Sequence, residues 1–339
     1  MKVLYYKSPR GNFGDDLNPL IWREVLSPAC FDVEDVVLLG IGSIFRDDYL
    51  SPPATAGKRV FVLGSGAGTG PLPSLWPNDK WSILAVRGPL TGRLIGMPDK
   101  AITDSAALLA TIPNLKPDVP RGGRVVFMPH YNSVMNSRWP EICERVGFEF
   151  VDAHWPVERT LQSLAGASLV LTEAMHGAIV ADTLRVPWIP VACSPEVAPF
   201  KWIDWTQSLD LDYRPIRLPP SSAWEALKHF KIRTIDGARG LDSLSDDDED
   251  LFKEFNRRYG QAAGTDLLPR RIVPKSQAGR LQKITARFDA LFADRAAKAL
   301  VAASKGLTYL SKDAIFLQRL DQLQQAVARL ERALLGTAH

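Results

Sequence analysis

Along the first third of the chain, short apolar and β-branched runs alternate with glycine-containing turns and helix-compatible stretches: "VLYY", "DVVLLGIGSIF", "RVFVLGSGAG", "WSILAVRG" and "AITDSAALLA". These runs lack the every-second-residue polarity of a strand with one wet face, so they predict strands covered on both sides. The rhythm is that of βα units built around a parallel sheet. Between residues 112 and 123 the text "IPNLKPDVPRGG" sets three prolines and a glycine pair in one stretch, which breaks the pattern and predicts a linker. The rhythm then restarts with "RVVFMPHYNS", "FEFVDAHW", "LQSLAGASLVLTEAMHG", "VPWIPVA" and "YRPIRLP". A second α/β domain follows, and the expected division is 1–118, 119–220 and a helical extension 221–339. Two open sheets joined by one linker place the C-terminal ends of their strands around a shared crevice, where ligands of such sheets sit.

From Ser221 the pattern becomes helical, with an acidic run at Asp246–Asp250 and a basic stretch holding Arg270, Arg271, Lys275, Arg280, Lys283 and Arg287. The last segment spaces Phe316, Leu320, Leu323, Val327, Leu330 and Leu334 by alternating fours and threes, a short heptad seam. Such a seam pairs with a second subunit, giving a homo-oligomer, or lies back on the body of the chain. A stretch from Leu281 to Leu300, with Leu281, Ile284, Phe288, Leu291 and Phe292 on one stripe among basic residues, is a candidate for resting on an anionic membrane surface. Solvated charge on a packing helix is the plainer reading.

The composition is 46% hydrophobic and 23% charged over 339 residues, that of a folded globular protein with room for two domains. Basic and acidic residues number 41 and 38, a net charge of +3 that gives no argument for nucleic acid. Cys30, Cys143 and Cys193 stand far apart with no zinc-type spacing, so they predict reduced thiols and no metal site. The N-terminal apolar run is too short for a signal-peptide core, and no run reaches the roughly 18 apolar residues that span a bilayer. The expected address is the cytoplasm, with the inner face of the membrane as the alternative.

The chemistry-bearing residues cluster after strands. In "RGNFGDDLNP", Asn12 and Gly14 form a turn and Asp15 and Asp16 fall near a helix N-terminus. Capping explains one acid; the second is a candidate for sugar contact or general base. "LGSGAGTG" is neither a dinucleotide nor a P-loop fingerprint, yet the Gly66 amide and the Ser65 hydroxyl could approach an anion. A plain tight turn is the alternative, and "LGIGSIF" poses the same choice. "AVRGPLT" ends a strand with Arg87 and opens a helix with Pro89, which suits anion recognition; the structural alternative is a bridge from Arg87 to Asp104. His130 follows the strand in "FMPHYNS". "KWIDW" supplies Lys201 with Trp202 and Trp205, whose indoles could stack on a sugar, although such rings pack into cores more often than they bind ligands. In "TEAMHGAIVADTLRVPWIPV", His176 sits at a strand-to-helix junction facing the crevice, where it can donate to phosphate or pass a proton, with Glu173 three residues earlier to orient it.

Taken in order, "GNFGDDLNP", "AVRGPLT", "ITDSA", "MPHYNS" and "TEAMHGAIVADTLRVPWI" resemble the polysaccharide pyruvyl transferase family, over about residues 1–205. The resemblance implies two Rossmann-like domains similar to the B-type glycosyltransferase fold, an acceptor-side first domain and a donor-side second one. It also implies phosphoenolpyruvate as donor, a sugar diol (on an exopolysaccharide or its lipid-linked precursor) as acceptor, and a cyclic ketal plus phosphate as products. No further cofactor is expected. On the matching positions the family's Arg-Gly-Pro arginine is Arg87 and its His-Gly histidine is His176. The family pattern Ser-x-Arg-Leu-His-Gly reads here as Thr172-Glu173-Ala174-Met175-His176-Gly177. Ala174 stands where the arginine would be, so a second cation has to come from elsewhere, and Lys201 is expected to supply it.

The site expected from these readings has His176 as acid and Asp15 or Asp16 as base. Arg87, Lys201, Ser65, Gly66 and His130 would face the donor, and Asn12, Trp202 and Trp205 the acceptor. Two other classes fit the same architecture: a nucleotide-sugar glycosyltransferase, and a non-catalytic subunit of a polysaccharide assembly complex.

Overall fold

The computed structural model describes residues 1–50, 54–74, 76, 79–135, 137–234, 247–259 and 286–336. Two parallel sheets carry the α/β architecture. The first runs in the order β1 (Lys2–Leu4), β2 (Val36–Leu39), β3 (Arg59–Leu63), β4 (Trp81–Ala85), with every pair parallel. The second comprises β5 (Val125–Met128), β6 (Glu149–Phe150), β7 (Leu169–Thr172), β8 (Trp188–Ala192) and β9 (Ile216–Arg217), in the order β6-β5-β7-β8-β9, again all parallel. β2, β7 and β8 are buried at every position, which is why their sequences are unbroken apolar runs.

Strand order decides where the chemistry can sit. In the second sheet the chain goes from β5 outward to β6 and then returns to the other side of β5 to lay down β7. The crevice beyond the C-terminal ends of β5 and β7 is therefore a topological switch point, the place where open α/β sheets bind ligands. Met128 pairs with Thr172 at the end of that ladder, so His130 and the Glu173–His176 turn emerge side by side just past it.

The two sheets are locked together by a helix from the second half. Pro199–Ser208 presents Asp204 to the loop and helix (Pro89–Leu94) that follow β4. Asp204 is fully buried: one oxygen accepts from the Thr91 amide at 2.8 Å, and the other from the Arg87 Nε at 3.0 Å and the Thr91 hydroxyl at 2.6 Å. Gly88 is required between them, because a Cβ there would fall 1.7 Å from the Asp204 carbonyl oxygen. The Arg-Gly-Pro sequence is thus a socket: an arginine for the carboxylate, a glycine that admits its backbone, and a proline-started helix whose free amide completes the bond set. A second interdomain bond joins the Phe13 amide to the Ala153 carbonyl at 2.9 Å.

Past the second sheet, the helix Asp289–Ala303 joins its core through Ala296, Leu300 and Ala303. The helix Ala223–Thr234 reaches the segment after β5 through Lys228, which donates to the Asn132 carbonyl, and the helix Asp248–Tyr259 packs against Leu90 and Phe200 with Tyr259 on the crevice wall. The final helix, Asp313–Leu335, crosses back onto the first sheet. Its seam is covered by this chain: Phe316, Leu320, Leu323, Val327 and Leu330 are all buried in the main core and Leu334 packs at its margin. The heptad spacing therefore records an intrachain contact and not a seam for a partner subunit. Arg319 donates to the Ser208 carbonyl at 2.9 Å and Glu331 accepts from the Ser27 amide at 2.7 Å, tying the helix to both halves. No helix among the described residues is long and apolar enough to cross a membrane. Of the proposed membrane-surface stripe, Leu281 and Ile284 lie outside the described residues, Phe288 and Leu291 are exposed, and Phe292 is half-buried.

Replacing Asp204 by alanine strands the Arg87 guanidinium in a dry interface. That should lower unfolding free energy by roughly 3–5 kcal/mol, the range for a buried charge left without its partner. Urea unfolding of the Asp204→Ala protein measures it, and a loss under about 1 kcal/mol would show that the sheets are held elsewhere.

Candidate active site

The cleft between the sheets has a volume of about 410 Å³ and gathers ionisable side chains from both halves: Asp15, Arg46, His130, His176, Glu196 and Lys201. A larger hollow of about 570 Å³ lies at the β8–β9 edge of the second sheet, walled mainly by apolar and proline residues. The smaller cleft sits at the switch point and holds the titratable groups, and it is the candidate site.

The turn "GNFGDD" resolves the question of its two acids. Asp16 accepts from the Asn12 amide at 2.8 Å and so holds the turn, while Asp15 is left to face the cleft. The Asn12 side-chain amide donates to Asp15, which fixes that carboxylate and puts Asn12 on the cleft wall. Gly42, in the left-handed region at φ +112°, lets Asp15 lie against its backbone; a Cβ there would be 2.8 Å from the carboxylate. Burial pushes Asp15 up to about 6, against the opposing pull of His176 and Lys201.

His176 opens the buried helix Met175–Thr183. Its ring slides beneath the Phe13–Asp16 helix at Gly14, where any Cβ would fall 2.0 Å from Nδ1. The glycine of the first motif and the histidine of the last are therefore one contact. The ring's Nε2 lies 3.7 Å from the Asp104 carboxylate of the "ITDSA" segment. Glu173, expected to orient His176, turns the other way. It is fully buried and accepts from the amides of His130 at 3.0 Å, Cys193 at 2.8 Å and Ser194 at 2.7 Å, so it ties the loop after β5 to the loop after β8. His130 itself lines the cleft. Its Nδ1 accepts from the Asn132 amide at 3.4 Å, and burial beside Lys201 holds its pKa well below the usual histidine value. It is a neutral donor through Nε2.

Lys201 projects into the cleft from the Pro199–Ser208 helix. Burial, with Arg87 behind it, brings its pKa down to about 8, partly offset by Asp15. It remains mainly a cation at neutral pH. Arg46 is the other cleft cation, placed by the loop after β2, with NH1 3.4 Å from the Thr69 hydroxyl. It follows "LGIGSIF" by one residue, and its only signal in the sequence is its place beyond a strand end.

Five expected contacts, Arg87, Ser65, Gly66, Trp202 and Trp205, stand behind the cleft wall instead of on it. Arg87 is fully buried in the Asp204 socket, with its remaining nitrogens donating to the Ser43 hydroxyl and the Ala67 carbonyl, each at 2.6 Å. A bound anion would meet Ser43, which lines the cleft, and not the guanidinium. The structural bridge weighed for Arg87 exists, but its partner is Asp204 and not Asp104. Ser65 is also fully buried and donates to the Gly42 carbonyl at 3.0 Å, and the Gly66 amide donates to the same oxygen at 3.0 Å. Gly66 is small because the Arg87 guanidinium lies where its Cβ would be.

Trp202 and Trp205 are likewise corrected as acceptor contacts. They are 0% and 1% exposed, and stack in a cluster with Trp188, Tyr213 and Tyr309. The helix that carries Lys201 on one face has to bury the other, and the indoles are that face. Among the described residues no three His, Cys, Asp or Glu side chains converge as a metal-ligand set.

Comparison with known proteins agrees with this arrangement of motifs. The family model described as polysaccharide pyruvyl transferase matches residues 2–195, more than half of the chain, and covers both strand-end motifs that build the cleft. The succinoglycan biosynthesis protein ExoV of Rhizobium meliloti (strain 1021) is 34% identical over 342 residues, spanning 98% of this chain and 99% of its own. Asp15, the His-Gly helix and the Arg-Gly-Pro socket all fall inside the matched region, and the chain accordingly belongs to the polysaccharide pyruvyl transferase family and is a pyruvyltransferase.

Proposed function

We propose that this enzyme transfers the pyruvyl group of phosphoenolpyruvate to two hydroxyls of one sugar residue in an exopolysaccharide or its lipid-linked precursor. The product is a cyclic ketal and the leaving group is phosphate. The observation that carries the reading is the meeting of a buried carboxylate, a histidine and two cations in one interdomain cleft. The relative's role in succinoglycan biosynthesis supports the choice of polymer. The two facing sheets, the cleft between them and the returning final helix support a B-type glycosyltransferase-like fold.

The chemistry follows from the charges. Phosphoenolpyruvate carries a phosphate and a carboxylate, and Lys201 with Arg46 supplies the cations that hold them, assisted by the neutral His130 donor and the Ser43 hydroxyl. His176 gives its proton to the methylene carbon, which becomes the methyl group, and the second carbon becomes electrophilic. One sugar hydroxyl adds there and passes its proton to Asp15. The carbon–oxygen bond to phosphate then breaks, the second hydroxyl closes the ring, and its proton leaves with phosphate. One proton is consumed and two are released, of which one restores the acid and the other appears on hydrogen phosphate.

Asp15 suits the base because burial sets its pKa close to the working pH, where a base is both ionised and strong enough. Asn12, bonded to Asp15, faces the acceptor beside it. The exposed Phe288 and Leu291, beside the exposed Arg287, support contact with the inner membrane face, where a lipid-linked acceptor would be presented.

Three outcomes test this reading. Incubation with phosphoenolpyruvate and a β-galactoside or β-glucoside acceptor should release phosphate only when the acceptor is present, with a pyruvate ketal visible by mass. Nucleotide-sugar binding without such release would favour glycosyl transfer. His176→Gln should reduce turnover to background while the circular dichroism and melting curve stay those of the wild type; substantial residual turnover removes the histidine from the acid role.

The pH dependence has a defined sign. Asp15 must lose its proton, so activity climbs through about pH 6; Lys201 must keep its charge, so activity falls through about pH 8. Lys201→Arg should move the alkaline limb upward, because a guanidinium stays charged, and Lys201→Met should cost roughly 10²-fold or more in kcat/KM for phosphoenolpyruvate. An alkaline limb unchanged in Lys201→Arg would assign that limb to another group.

A further inference from the structure

Two buried polar atoms face each other across the domain boundary without any hydrogen-bond partner: Oδ2 of Asp104 and Nε2 of His176. They are 3.7 Å apart, the Asp104 side chain fully buried and the His176 side chain 15% exposed. At that separation no hydrogen bond exists, yet unmatched buried groups of this kind are rare in folded proteins. A donor and an acceptor placed this way need an approach of under about 1 Å to satisfy each other.

The surroundings fix what each atom can do. Asp104 uses its other oxygen, Oδ1, to accept from the Ala106 amide at 2.9 Å, as the cap of the short helix Ser105–Thr111. One carboxylate oxygen anchors the side chain in the first half, and the second is left aimed at the ring. On the ring, Nε2 is the nitrogen beside Asp104, and Nδ1 lies against Gly14, a residue of the cleft wall. Arg87, the cation weighed as a partner of Asp104 from the sequence, is taken up by Asp204 and leaves this carboxylate free for the histidine. The charged groups facing the ring are Asp15 from the Phe13–Asp16 helix and Asp104 from the Ser105–Thr111 segment, with Lys201 acting on Asp15 from the Pro199–Ser208 helix.

We propose that Asp104 is the positioning residue of the histidine. Its Oδ2 accepts the Nε2 proton of His176 when the two halves close on substrate, which keeps Nδ1 as the nitrogen that carries and delivers the proton at the cleft. The carboxylate also holds the imidazolium charge while the proton is in place. Because Asp104 belongs to the first half and His176 to the second, the pair forms only when the halves are correctly docked. Closure and arming of the acid are then one event. The inference rests on the reading of His176 as the proton donor, but its central claim concerns the ring's tautomer and can be measured without turnover.

The test uses the full-length protein with ¹⁵N-labelled histidine. The chain has five histidines, and the His176→Gln protein identifies the resonances of this one. In the wild type with saturating phosphoenolpyruvate the neutral ring should carry its proton on Nε2. Asp104→Asn keeps an oxygen for the Ala106 amide, so the cap survives, but offers Nε2 an amide N–H instead of an acceptor. The ring should switch to the Nδ1–H tautomer, and kcat should drop roughly 10²-fold or more with KM for phosphoenolpyruvate within about two-fold. Asp104→Ser, a competent cap too short to reach the ring, should abolish the preference for Nε2–H and lower kcat in the same direction, and serves if the asparagine protein does not fold.

An unchanged tautomer in Asp104→Asn overturns the proposal even if kcat falls, since loss of a charge at a distance would explain that alone. Failure of the proton-donor reading looks different: the ring signals would respond to Asp104 as described while the His176→Gln protein kept its activity.

Discussion

The structure depends on one buried carboxylate. Asp204 leaves the second half of the molecule, enters the Arg-Gly-Pro socket of the first and satisfies a guanidinium, a hydroxyl and a helix-start amide together. Every one of these groups would be costly to bury alone, and each is offset only because the others are present. The same helix carries Lys201 one turn earlier, so the clamp that docks the halves also sets the height of the cation in the cleft. Docking and site geometry share a single interface.

Within that frame the cleft is a balance between desolvation and opposite charge. Asp15 is raised by burial and Lys201 is lowered by it, and each moderates the shift of the other. A carboxylate and an ammonium so arranged have ionisation ranges that straddle neutrality, which suits the proposed roles of a base and an anion-holding cation. Glu173 contributes at one remove by collecting three backbone amides, which holds the loops after β5 and β8 in register with the histidine turn.

Packing explains why several attractive side chains have structural duties. Trp202 and Trp205 lie on the same helix as Lys201, and a helix wedged between two sheets must offer an apolar face to one of them. Ser65 and Gly66 serve the Gly42 turn that shelters Asp15, so the glycine-rich loop shapes the cleft from behind. The final helix buries its seam on the first sheet because that sheet's outer face would otherwise be uncovered.

The sequence by itself determined the local and periodic features. Unbroken apolar runs between glycine turns specified two parallel sheets, and the ordered motifs marked the family. Asp15, His130, His176 and Lys201 were legible because strand ends and helix starts place side chains in a known direction. What only the tertiary structure decided was which partner each charge would find. Arg87 reads equally well as an anion clamp or a bridge, and the choice was made by Asp204, a residue 117 positions away. Arg46 carries no distinctive local pattern, and Asp104 sits in the "ITDSA" motif with nothing there to name its partner; only the packing of loops from distant strands brings them to the cleft and to the histidine. Periodicity along a chain reports which faces are apolar; the pairing of buried charges is settled by contacts that form between segments with no sequence relation to one another.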